Sequence, residues 1–217
     1  MTRRVLAALV VSPHHAAFWF FLTLVLLPLA VQAQRAPPKI PQPFAEVYKR
    51  IDASPKLRER HAMCPADLFE VDAPFWLNTM HPPRIDPDQC LKDPDQCLAG
   101  CLDGRSFAAC FTMAITLQLN QPEEKSRYFE MLFAEACATG SAGGCTNRAA
   151  AIRNGSYFDD PFDDVDEAEA MTCVFRSFEV TCAEGDAWGC TMLGQASHHA
   201  EGVEADSAAA RRYYEKS

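Results

Sequence analysis

Apolar residues in PEEKSRYFEMLFAEAC (122–137) recur at a helical spacing: Phe129, Leu132, Phe133 and Ala136 fall at i, i+3, i+4 and i+7. Pro122 and two glutamates open the stretch, a helix-start signal that suits the positive end of the dipole. DSAAARRYYEKS repeats the design near the end of the chain, with Asp206 as N-cap and Ala209, Ala210, Tyr213 and Tyr214 at similar spacing. Three shorter helical stretches, FTMAITLQL (111–119), TNRAAAIRN (146–154) and TMLGQASHHA (191–200), each follow a cysteine-bounded loop. The pattern predicts a unit of helix, loop, helix.

The loops themselves keep a beat. ACATGSAGGC (136–145) and TCAEGDAWGC (181–190) share two cysteines, a glycine three residues after the first, and a second glycine just before the last. CLDGRSFAAC (101–110) is a looser version. The leading cysteines Cys101, Cys137 and Cys182 stand 36 and 45 residues apart, which reads as one period and the same period with a nine-residue insertion. The next leading cysteine would fall at 218, so the last repeat reads as cut at its boundary. Gly104, Gly140 and Gly185 sit where a helix stop needs a left-handed residue. Cys101 with Cys110, Cys137 with Cys145, and Cys182 with Cys190 would each staple one helix to the next. A closed loop of about ten residues contributes on the order of 2.5 to 3 kcal/mol by the chain-entropy model.

Ten cysteines in 217 residues suit disulfides or zinc, and the compartment decides. Arg3 and Arg4, the apolar run AAFWFFLTLVLLPLAV (16–31) and the small-residue site Val31-Gln32-Ala33 form a signal peptide over 1–33, cut after Ala33. The run is too short, and too interrupted by Pro28, for a membrane span. A secreted or periplasmic protein is expected, with its thiols paired. No CxxC or tight Cys/His cluster is written, so neither metal nor cofactor is expected. Without Arg3 and Arg4 the chain carries 18 basic against 29 acidic residues, net −11, which disfavours nucleic acid and anionic membranes as partners.

The segment GCTMLGQASHHAEGVEADSAAARRYYEKS (189–217) resembles the cysteine-rich branch of the Sel-one-like repeats, relatives of the tetratricopeptide repeats. Gly189, Cys190, Leu193, Gly194, Gly202, Val203, Asp206, Tyr214, Glu215 and Lys216 match the branch's G-C-x-x-L-G, glycine-pair, Val, Asp and Tyr-Glu-Lys steps. Ala200 replaces the first of the paired glycines, and Asn147 to Ala150 replace the Leu-Gly step in the earlier unit. The resemblance covers 182–217 well, 101–145 fairly, and nothing before about residue 95. It implies an all-α fold: a short α/α solenoid over 98–217 with neighbouring helices linked by disulfides. It also implies a concave face that binds a protein or peptide, or a cell-wall fragment. The same branch is associated with penicillin binding and weak β-lactamase activity. The chain, however, has no S-x-x-K or G-x-S-x-G, and the histidines after residue 33 are His61, His81, His198 and His199 alone. No catalytic residue is assigned, and hydrolysis of a β-lactam stands as the alternative function.

Other features have a bland reading beside a sharp one. His198, His199 and Glu201 could bind a metal, but histidines also favour a helix C-terminus. The acidic insertion at 155–166, overlapping SYFDDPFDDVDEAEA (156–170), lacks the regular spacing of a calcium loop and reads as a solvated excursion. Residues 34–60 read as a proline-rich linker and short helix, and 61–97 as an irregular, cysteine-containing cap region. Four thiols lie outside the loops: Cys64, Cys90, Cys97 and Cys173, allowing three connectivities. The echo DPDQCLKDPDQC (86–97) favours Cys90 with Cys97, and Cys173 is left as a partner for Cys64 or as a buried free thiol.

Overall fold

A computed structural model describes residues 44–69, 86–103, 106–155 and 160–217. The expected signal peptide over 1–33, the expected linker up to residue 43, His81 and Gly104 lie outside the described residues. Three short helices come first: α1 (Phe44–Asp52), α2 (Pro55–His61) and α3 (Pro65–Leu68). They are followed by α4 (Pro87–Lys92), α5 (Pro94–Leu102), α6 (Phe107–Asn120), α7 (Ser126–Ala138), α8 (Ala142–Asn154), α9 (Glu167–Ala183), α10 (Ala187–His199) and α11 (Ser207–Tyr214). Among the described residues there is no strand. Each helix from α5 to α11 packs on its neighbour in sequence, giving the pairs α5/α6, α7/α8 and α9/α10.

Local chemistry makes each pair. α6, α8 and α10 begin at Ser106, Ser141 and Asp186, whose side chains accept the amides of Ala109, Gly144 and Gly189 three residues on. All three caps stand four residues before the second cysteine of their loop, so cap and staple have a fixed offset. The preceding helices α7 and α9 end in matching turns: the amides of Ser141 and Asp186 reach back to the carbonyls of Ala136 and Thr181, with Gly140 at φ 103° and Gly185 at φ 84°. Disulfides then close Cys101–Cys110, Cys137–Cys145 and Cys182–Cys190 across the pairs, at Cα separations of 4.4 to 4.6 Å.

The second glycine of each loop serves packing. A Cβ on Gly144 would lie 2.9 Å from the Ala136 Cβ and the Cys137 amide, and one on Gly189 would lie 2.9 Å from the Thr181 Cβ. In the first pair the roles reverse, with Gly100 on α5 facing Ala109 on α6. Each stapled crossing therefore holds one glycine and one small residue, which lets two helix backbones approach within disulfide reach.

Ala200, where the resembled repeats carry glycine, ends α10 in the left-handed region at φ 62°, and it is the one non-glycine residue with positive φ among the described residues. An L side chain costs about 1 kcal/mol there. Ala200→Gly is accordingly expected to raise stability by about 0.5–1 kcal/mol, read as a higher urea midpoint at unchanged m-value.

The N-terminal region is more ordered than its sequence suggests. Residues 61–69 and 86–97, expected to be irregular, are largely helical, because Asp86 and Asp93 cap the two copies of the echo ahead of prolines at the first helical position. Cys90 and Cys97 pair, and Cys64 pairs with Cys173, so the free-thiol alternative for Cys173 is corrected. All ten cysteines are bonded, and such a fold suits an oxidising compartment. Among the described residues no helix is long and apolar enough to cross a membrane.

Candidate functional site

The first helices of the three pairs, α5, α7 and α9, share one face of the array, and the chain's own N-terminal helices lie along it. α1 packs on α5 and α7, α2 on α7, and α3 on α9 with α7 and α8. We call α1–α3 the strap. Its α1 is amphipathic, with Phe44, Val47, Tyr48 and Ile51 buried at i, i+3, i+4 and i+7. With Leu57 of α2 they join one cluster with Leu98, Met113, Leu117, Phe129 and Phe133. Leu68 of α3 inserts separately against Ala134, Ala138 and the Cys137–Cys145 pair. The face of α5, α7 and α9 is thus filled by residues 44–68.

Polar contacts fix the strap's register. Tyr48 donates its hydroxyl to Gln121 Oε1 at 2.7 Å, and its ring lies 4.2 Å from that of Tyr128. Asp52 accepts from Arg127 and from the Tyr128 hydroxyl, both at 2.9 Å. Glu135, 1% exposed in the last turn of α7, takes Lys56 at 3.2 Å and Arg60 at 2.5 Å. On α9, Ser177 Oγ accepts the Ala66 amide at 3.0 Å, and Arg176 pairs with Asp67. The Cys64–Cys173 bond locks the far end.

Behind α2 sits a buried charged cluster. Arg148 of α8 is fully buried, donating to Asp160 Oδ1 at 2.8 Å and to the His61 carbonyl at 2.9 Å, with Glu130 of α7 at 3.5 Å. The Phe162 ring stacks near the guanidinium, 5.4 Å from its centre. Asp160 belongs to the acidic insertion, so the solvated reading of that segment is corrected at this residue: its side chain is 6% exposed and caps the turn Pro161–Asp164. Burial works against the Asp160 charge, but hydrogen bonds from Arg148 and the guanidinium's charge outweigh it and hold the carboxyl below its usual range. Burial, against the attraction of Arg148, pushes Glu130 up to about 8. Burial, with Arg148 adding and Asp160 opposing, pulls His61 down to about 3.

These shifts set opposite slopes of stability against pH. Between about 4.5 and 8 the folded state keeps a proton on Glu130 that the unfolded chain has released, so stability falls as pH rises. Between about 3 and 6.5 the unfolded chain holds a proton that folded His61 lacks, so stability rises with pH. The two cancel from about 4.5 to 6.5, and above 6.5 Glu130 acts alone. Urea unfolding is expected to show stability falling by about 2 kcal/mol from pH 6.5 to 8, at about 1.4 kcal/mol per pH unit per proton. Glu130→Gln is expected to flatten that fall, and a fall that persists in the variant would place its origin elsewhere.

The other sequence candidates are dispersed. His198 and His199 stack edge to face at 4.8 Å at the end of α10, while Glu201 turns to Arg153 at 2.8 Å. Among the described residues no group of three His, Cys, Asp or Glu side chains could hold a metal ion. Glu130, Glu135, Arg60, Arg148 and Asp160 were not singled out by the sequence. No family model, curated protein or solved structure matches this chain. The functional reading therefore rests on the geometry of the strapped face.

Proposed function

We propose that the domain is a secreted or periplasmic helix-pair scaffold of the cysteine-rich Sel-one-like kind, which binds a helical segment of a protein or peptide on the face of α5, α7 and α9. One observation carries this reading: that face already holds a helical segment, the strap, by alternating apolar anchors and ion pairs across three successive pairs. Helix-in-groove recognition uses the same elements, apolar anchors at i, i+3, i+4 and i+7 framed by charges. The ligand class that fits is an amphipathic helix presenting a basic residue to Glu135, as Arg60 does. The β-lactam alternative rests on the resemblance alone.

The test uses the full chain with Cys64→Ser, Ile51→Asp and Leu57→Asp, which strip the strap of its staple and two anchors. A labelled synthetic peptide of residues 44–69, carrying Cys64→Ser, is titrated against it. Saturable binding is expected, weakened at least about tenfold by Arg60→Ala in the peptide, as for an interfacial hot spot. Absence of saturable binding, by a variant that stays helical and keeps its other four disulfides, sinks the proposal.

A further inference from the structure

We infer that Cys64–Cys173 is a thiol-exchange site, which a dithiol reductant opens and whose opening frees α3, the end of the strap on α9. Topology separates this bond from the other four. Those close seven to nine residues between adjacent helices, whereas Cys64–Cys173 spans 109 and joins the strap to the array. Opening a short staple leaves its two helices paired by packing. Opening this one removes the only covalent tie between α3 and α9.

Access separates it again. Cys64 is the one cysteine of the ten that is not buried. Both Cys64 and Cys173 line a cleft of about 590 Å³ between α3, the turn at Phe162 and Val165, and α9. The cleft is rimmed by Asp67 and Arg176, each half-exposed, so a reductant meets movable surface side chains before it meets sulfur. The other eight cysteines are buried, although Cys90 and Cys97 line a smaller cleft of about 250 Å³, so it is the partial exposure of Cys64 that sets its bond apart. Exchange requires a thiolate to reach a sulfur, so accessibility orders the five bonds.

The chemistry balances. A thiolate of the reductant attacks the partly buried Cys64 Sγ from the cleft, forming a mixed disulfide, and the bond to Cys173 breaks with Cys173 leaving as a thiolate that takes up a proton. The second thiol of the reductant then displaces Cys64, which leaves as a thiol. The protein pair gains two electrons and two protons, and the dithiol becomes a disulfide. After that, α3 is held by the Ala66–Ser177 hydrogen bond, the Asp67–Arg176 pair and Leu68 packing, contacts that open locally without unfolding the array. The regulatory consequence, exposure of the face to a ligand in trans, rests on the peptide-binding reading above, whereas the exchange chemistry does not.

Graded dithiothreitol, applied to the oxidised full chain without denaturant and followed by alkylation and peptide mapping, tests the site. Cys64 and Cys173 are expected to label at least about tenfold faster than the other eight, as access dictates. Earlier labelling of any other pair, or labelling of all ten together, overturns it. Cys64→Ser/Cys173→Ser supplies the second arm: amide exchange over 62–69 is expected to rise about tenfold or more while α6–α8 keep their protection. Unchanged protection of α3 overturns the release. A strap that loosens while the 44–69 peptide fails to bind supports the exchange site and counts against the peptide reading alone.

Discussion

Replacing Arg148 with methionine is expected to cost the fold about 3–5 kcal/mol, because removing one partner of a buried charged set strands the others. The guanidinium is fully buried and is shared by Asp160, Glu130 and the His61 carbonyl, so it joins α8, α7, the insertion and the strap at one point. Methionine fills much of the volume but leaves the Asp160 carboxylate, held ionised chiefly by Arg148 against burial, without its counter-charge. Equilibrium urea unfolding of the oxidised protein measures the loss. Arg148→Met/Asp160→Asn is expected to recover part of it, since the stranded charge is then gone. The exposed pair Arg211–Glu215 is the control, and Arg211→Met is expected to stay within about 0.5 kcal/mol. A loss at Arg148 no larger than at Arg211 would mean that the cluster is not closed as described.

The second large effect is expected at Glu135. Glu135→Ala removes a carboxylate that is 1% exposed and that both Arg60 and Lys56 reach, with Arg60 itself only 8% exposed. About 2–4 kcal/mol is expected, most of it the cost of a buried guanidinium deprived of this carboxylate. The loss is local in character. Hydrogen exchange is expected to accelerate in α1 and α2 far more than in α3, which the Cys64–Cys173 bond still pins. Equal acceleration across α1–α3 and α5–α9 would show that Glu135 serves the whole array rather than the strap.

Those residues were hidden from the sequence for a physical reason. The pairs were legible because their determinants are local: cap, stop glycine and cysteine recur at fixed offsets within ten residues, and the apolar stripe of α7 follows helical period. What the stripe conceals is a second one. Met131, Ala134 and Ala138 form another apolar line on α7, and every residue of that helix except Arg127 is buried. A helix covered all round must bury its acids, so Glu130 and Glu135 could have been flagged as buried charges needing partners. The partners themselves were out of reach, because Arg60 and Asp160 come from segments whose docking depends on contacts across the whole domain.

The strap was illegible for the same reason. α1 reads as a short amphipathic helix, but nothing in residues 44–68 says which surface covers it, and four equivalent thiols outside the loops leave the Cys64 partner open. The strap also changes what the repeat pattern implies. A repeat array exposes its shared face to ligands, whereas here that face is held by the chain itself, and the proposed binding requires displacement or release of the chain's own segment.

Mass spectrometry of non-reduced digests, prepared at acid pH to suppress exchange, tests that placement most directly. The predicted result is a linked fragment joining the peptide containing Cys64 to the peptide containing Cys173, beside Cys90–Cys97 and the three loop pairs. Cys64 linked to Cys90 or Cys97, or Cys173 recovered as a free thiol, would contradict a strap locked across α5, α7 and α9.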